Sequence, residues 1–137
     1  MNIDSIKNGF VIDHIKAGKG MEIYRLLKLK KLSCPVAMIM NAQSEKMGKK
    51  DVIKIDGDID LDLHILGYVD PDVTVNVIKD SVIVEKKKIL LPEKLTDIIF
   101  CKNPRCITSC EQELSHEFVL ADKPRRIYRC IYCDAEA

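Results

Sequence analysis

Along the first ninety residues, apolar side chains recur with two different periods, and the changes of period mark out the elements. Residues 10–15 (FVIDHI) are mostly β-branched and aromatic, which predicts a strand. Asp13 and His14 are adjacent within it, so a regular pleat sends them to opposite faces and at least one must reach an edge or a pocket. After Gly18 and Gly20 the period lengthens. Met21, Ile23, Tyr24 and Leu27 recur at helical spacing with Arg25, Lys28, Lys30 and Lys31 between them, which predicts one amphipathic helix running toward Leu32. The glycine pair lacks the length and the Lys-Ser or Lys-Thr ending of a phosphate loop.

Residues 35–42 (PVAMIMNA) form a nearly continuous apolar run, which predicts a buried strand with Cys34 as a small core residue beside it. A further strand is predicted at 52–56, with Lys50 and Lys54 projecting beyond it as solvated edge charges or as a polyanion-binding pair. Over residues 57–71 the two periods compete. Ile59, Leu61, Leu63 and Ile65 alternate as in a strand, whereas Ile59, Leu63 and Leu66 follow helical spacing with Asp58 as a cap. Residues 73–78 and 82–86 predict two β runs hinged near Lys79-Asp80-Ser81, and LPEK at 91–94 marks a domain joint. Short strands are expected beyond it at 97–101, 117–121 and 126–130.

This order of elements predicts an α+β protein. Residues 1–92 form an antiparallel sheet with two helices on one face, a ferredoxin-like sandwich, and residues 93–137 form a small all-β, zinc-ribbon-like domain. Charge narrows the function classes. The net charge is +1, split as 15 basic and 13 acidic side chains in residues 1–92 and 7 and 8 in residues 93–137. Neither part carries the basic excess of a nucleic-acid module. No apolar run approaches the ~18 residues of a membrane span. The first residues, MNIDSIKNGFVIDHI, lack a basic segment followed by a long apolar run and a cleavage site, so a soluble, cytoplasmic chain is expected.

Cysteine usage brings in the chemistry. Five of the six cysteines follow residue 100, and C-x4-C at Cys101 and Cys106 is answered, 23 residues on, by C-x2-C at Cys130 and Cys133. In a reducing compartment two such turn-borne pairs point to one tetrahedral Zn²⁺ per chain. Four thiolates leave no open coordination position, so the metal is expected to be structural and the chain non-catalytic. Cys106 with Cys110, or His116 as a substitute ligand, are alternatives. The turn through Asn103-Pro104-Arg105 favours Cys101 with Cys106, because it can bring the ends of the longer loop together.

Four stretches taken together, VIDHI at 11–15, MGKKDVIKI at 47–55, TVNVI at 74–78 and the C-x4-C, C-x2-C pattern, resemble the regulatory chain of aspartate carbamoyltransferase in the same order over essentially the whole sequence. The resemblance implies a non-catalytic subunit that forms a regulatory homodimer through its front domain. It also implies attachment through the zinc domain to catalytic trimers, in an assembly of six catalytic and six regulatory chains of pyrimidine biosynthesis. CTP is the expected inhibitor and ATP the expected activator, with UTP a further candidate. Carried over by position, the nucleotide site comprises Asp13, His14, Lys50, Lys54, Asn76 and the triphosphate-binding Lys86. Ile3, Asp4 and Ile6 line the base, and Val52, Ile78 and Ile83 stand around the ring. Ser81 occupies a position that is aromatic in some relatives, so a different base preference is expected. The competing reading is a zinc-ribbon adaptor that binds a protein or nucleic acid without sensing nucleotides.

Overall fold

The structure is a computed structural model that describes residues 6–137. Its contacts divide the chain between Leu90 and Leu91 into two compact units. In the first, β1 (Gly9–Lys16), β2 (Val36–Ser44), β3 (Gly48–Ile55), β4 (Thr74–Lys79) and β5 (Val82–Lys88) form one antiparallel sheet in the order β2-β3-β1-β4-β5. Helix α1 (Gly20–Leu26) connects β1 to β2, and α2 (Leu63–Val69) connects β3 to β4. Each helical connection skips one strand, which is the ferredoxin-like arrangement with β5 added at the edge. Ile12, Ile15, Ile53, Ile55 and Val75 from the sheet pack with Ile23, Leu29, Leu66 and Val69 into the main core, so the helices cover a single face.

Several local expectations give way to tertiary packing. The predicted long helix is only seven residues, because Lys28 adopts a left-handed conformation (φ 55°) and the chain tightens into a 3₁₀ turn at Leu29–Lys31. The apolar run at 35–42 is not a buried strand. β2 is an edge strand in which Ile39 and Met40 are exposed. The contested segment becomes α2, and its cap is Asp62 rather than Asp58: the Asp62 carboxylate accepts from the N–H groups of His64 and Ile65. The hinge before β5 is a tight turn with Asp80 and Ser81 both at positive φ, so the two strands pair directly as a hairpin.

The second unit holds a three-stranded antiparallel sheet, β6 (Lys94–Thr96), β7 (Glu117–Asp122) and β8 (Ile127–Cys130), in that order. The expected strand at 97–101 is absent, because Asp97 turns the chain at φ 55° and the strand lies before it. Leu95, Phe118 and Tyr128 form the small core, with the Tyr128 hydroxyl donating to the Pro92 carbonyl. Among the described residues no helix is long and apolar enough to cross a membrane.

Candidate functional site

Strand register sorts the side chains of the first unit by face, since residues directly opposite one another on paired strands project to the same side. One row runs Ala37, Lys54, Val11, Asn76, Lys86 across all five strands, on the face the helices leave open. At ~4.8 Å per strand, Lys54 and Lys86 stand about 14 Å apart with Val11 and Asn76 between them. Val11 also packs with Ile6, Val52 and Ile78 in a separate buried apolar cluster. Ile83, opposite Ile78, is partly exposed. The sheet thus offers an apolar floor flanked by ammonium groups. Ile3 and Asp4 lie outside the described residues.

At the end of this face β1 departs from a regular pleat. Ile12 pairs with Ile53 and Ile15 with Asp51, so Asp13 and His14 together oppose the single residue Val52. The bulge places His14 at φ 59° and overrides the expectation that Asp13 and His14 face opposite sides. The His14 ring reaches Thr74, with Nδ1 2.9 Å from Oγ1, and Thr74 pairs with Asp13 in the neighbouring strand. The Asp13 carboxylate accepts from its neighbour's backbone, the His14 N–H, at 2.6 Å and meets the Lys50 ammonium at 2.9 Å. Lys50 therefore lies within β3 rather than beyond it.

Burial pushes the Asp13 carboxyl up, but the Lys50 ammonium and the His14 N–H outweigh it and hold the group below its usual 3.8. A carboxyl depressed in the folded state adds stability that is complete above its unfolded value and is lost as pH falls through the folded one. Urea melts of the wild type and of Lys50→Met should therefore differ at pH 6 and converge as pH falls through the folded-state value of Asp13.

Val11, Thr74 and Asp51 escaped the sequence reading. Val11 shares a row with Lys54 and Asn76, a relation only the register reveals. Asp51 looks like one more strand-end charge in KKDVIKI, yet it is 1% exposed and points to the helix-covered face beside Ile15. One carboxylate oxygen accepts from the N–H groups of Gly18 and Gly20, both at 3.0 Å, and the other from Asn41 N–H at 3.1 Å. The glycine pair of the sequence is thus a cradle for an internal carboxylate: a Cβ on Gly20 would lie 2.8 Å from Asp51 Oδ2.

In the second unit, Cys101, Cys106, Cys130 and Cys133 bring their sulfurs within 4.8 Å of one another. Cys101 and Cys133 are 3.5 Å apart and Cys106 and Cys130 3.7 Å. A tetrahedral ion with ~2.3 Å bonds to sulfur separates its ligands by about 3.8 Å, so the donor set and its spacing fit a four-thiolate metal centre. The surroundings favour thiolate at two of the four sulfurs. The Thr108 hydroxyl donates to Cys106 Sγ at 3.1 Å and, with the Thr108 N–H, draws that thiol down. The Asn103 side chain and the Ala135 N–H draw Cys133 down to about 6. Burial, reinforced by the neighbouring thiols, pushes Cys101 up to about 12. Four sulfurs this close cannot all ionise without a cation between them.

Cys110 is exposed and stands outside the cluster. His116 is not in it either. Its Nδ1 accepts from the Cys101 N–H at 3.3 Å and its ring meets Phe100 edge-on, so it braces a ligand rather than acting as one. Arg129 donates to the Asp134 carbonyl and helps close the second cysteine turn.

Comparison with known proteins agrees with both units. Residues 1–90 match the allosteric domain of the aspartate carbamoyltransferase regulatory chain, and residues 93–137 match its metal-binding domain. The chain belongs to this family of regulatory chains. It is 52% identical to the aspartate carbamoyltransferase regulatory chain of Clostridium acetobutylicum over 134 residues, covering 98% of this chain and 92% of that one. The regulatory chain of Clostridium tetani is also 52% identical, over 98% and 94% of the two chains. That of Bifidobacterium longum is 44% identical over 100% and 99%. As an aspartate carbamoyltransferase regulatory chain, the protein is a regulatory rather than a catalytic subunit, with an allosteric unit and a metal-binding unit.

Proposed function

We propose that this regulatory chain binds nucleoside triphosphates on the open face of its five-stranded sheet and transmits that binding to the catalytic chains of aspartate carbamoyltransferase. CTP acts as inhibitor and ATP as activator of pyrimidine biosynthesis, and UTP is a further candidate ligand. The observation that carries the reading is the shared face of Lys54, Asn76 and Lys86, beside the Asp13–Lys50 pair and above the apolar cluster of Ile6, Val52 and Ile78. Ammonium groups on separate strands offset a triphosphate as point charges. Asp13 accepts from ribose hydroxyls, as carboxylates do in dinucleotide sites, and His14 donates to phosphate. Ile3, Asp4 and Ile83 complete the base-binding side.

Residues 1–92 serve as the nucleotide-binding domain and residues 93–137 as the zinc-binding domain that docks on the catalytic chain. Zn²⁺ held by Cys101, Cys106, Cys130 and Cys133 supplies no reaction chemistry. Bound there, it fixes the two cysteine turns, which carry the exposed Ile107, Ile131 and Tyr132. Apolar side chains displayed on a metal-braced turn suit a protein partner, here within an assembly of six catalytic and six regulatory chains built from regulatory homodimers. No nucleic acid or membrane enters this reading, and thiolate ligands suit the reducing cytoplasm. Nucleotide affinity for two quaternary states must differ for regulation to follow, with coupling typically of about 1–3 kcal/mol.

Calorimetric titration of the purified chain with CTP and ATP tests the proposal. Lys86→Ala should weaken both triphosphates at least about tenfold, as expected for loss of one charge-assisted contact, and leave the weak binding of the nucleosides unchanged. Absence of binding by either triphosphate to the wild type would sink the sensor reading.

A further inference from the structure

The buried Asp51 carboxylate has no part in the proposed nucleotide contacts, yet it sits where the sheet departs most from regularity. On one side of β3, Asp13 and His14 bulge opposite Val52. On the other, Met40 and Asn41 bulge opposite Asp51 itself, since Ile39 pairs with Val52 and Ala42 with Lys50. Both bulges contain a non-glycine residue in the left-handed region, His14 at φ 59° and Asn41 at φ 60°. Such residues are held only where the surroundings over-determine them. Asp51 takes the Asn41 N–H on one oxygen, and on the other the N–H groups of Gly18 in the turn after β1 and of Gly20 at the start of α1. It thereby ties the bulge of β2 and the exit of β1 to one point of β3.

That point adjoins Lys50. With Asp51 turned into the core, the strand pleat sends Lys50 to the open face, where its ammonium lies 2.9 Å from Asp13. A slip by one residue would put Lys50 in the core and Asp51 on the open face among the lysines. We infer that Asp51 is a positioning residue for the triphosphate site: its carboxylate, through three backbone amides, holds the bulge of β2 and the exit of β1, and with them the register that aims Lys50 at Asp13 and the ligand. The inference rests on the nucleotide reading for its consequence and on the ligand-free geometry for its cause, so the two fail separately.

The test uses the full-length chain with Asp51→Asn, which keeps one acceptor oxygen but turns an NH₂ against backbone donors. Asp51→Glu, which keeps the charge and displaces it by one methylene, serves if the first variant does not melt cooperatively. Titration of the Asp13 carboxyl, followed by carbon NMR without ligand, should rise toward 3.8 in either variant as Lys50 loses its aim. CTP affinity should fall about tenfold in the wild-type background but less than about twofold in a Lys50→Met background, the non-additivity expected of two residues acting as one. An unmoved Asp13 titration, or an equal loss of affinity in both backgrounds, overturns the positioning role and leaves Asp51 a general stabiliser. If the wild type binds no nucleotide, the sensor reading fails, while the Asp13 titration still decides whether Asp51 aims Lys50.

Discussion

Cys130→Ser is expected to unfold the C-terminal unit while leaving the N-terminal unit intact. The unit spans residues 91–137, well below the ~70–80 residues at which a core sustains itself. Its largest buried side chains are Leu95, Phe118 and Tyr128, and two of the remaining buried residues are Cys106 and Cys130 of the four-cysteine cluster. Metal binding in comparable small modules contributes about 10–16 kcal/mol, more than the folding free energy of most whole domains. Losing one of four thiolates forfeits much of that and opens a coordination position to water. With the proposed Zn²⁺ as the metal, zinc content should fall from one per chain to near zero, and limited proteolysis should cut within 91–137 and spare 6–90. Under the proposed function the variant no longer co-elutes with catalytic chains on a sizing column, yet it still binds CTP. Retention of full zinc content together with protease resistance would show that Cys130 is not a ligand.

Asp51→Ala is expected to have the largest effect of any single substitution in the N-terminal unit outside its apolar core. The change removes both acceptor oxygens and leaves the Gly20 N–H without one in a buried setting and those of Gly18 and Asn41 in part-buried ones. An unsatisfied buried donor costs about 1–3 kcal/mol and an ordinary hydrogen bond is worth about 0.5–1.5 kcal/mol, so a total of at least about 2 kcal/mol follows. For a unit of this size that lowers Tm by at least about 8 °C. Differential scanning calorimetry reads the shift directly. A drop of under about 4 °C would mean that the strands relax around the missing carboxylate, and the anchoring role would be lost.

The boundary between what the residues told and what they withheld follows the range of the interaction. Strands at 9–16 and 74–79 were legible because β-branched residues impose their own period. The four-cysteine cluster was legible because each half closes over a short turn. Helix α1 was overestimated since the apolar spacing continues past Leu27, whereas the chain turns at Lys28 to bury Leu29. The burial of β2 was overestimated because an apolar run looks the same whether a strand ends in the middle of a sheet or at its edge.

By itself, the sequence determined the α+β order of elements, the two-part organisation, the family and the four-cysteine centre, all of which depend on residues close together or on pattern repeated in order. Only the tertiary structure decided that Lys54, Asn76 and Lys86 share one face with Val11, that a bulge turns Asp13 and His14 toward Lys50 and Thr74, and that Asp51 is an internal anchor rather than a surface charge. Those relations are set by strand register, and a shift of one residue exchanges the two faces of a strand without altering a single local preference.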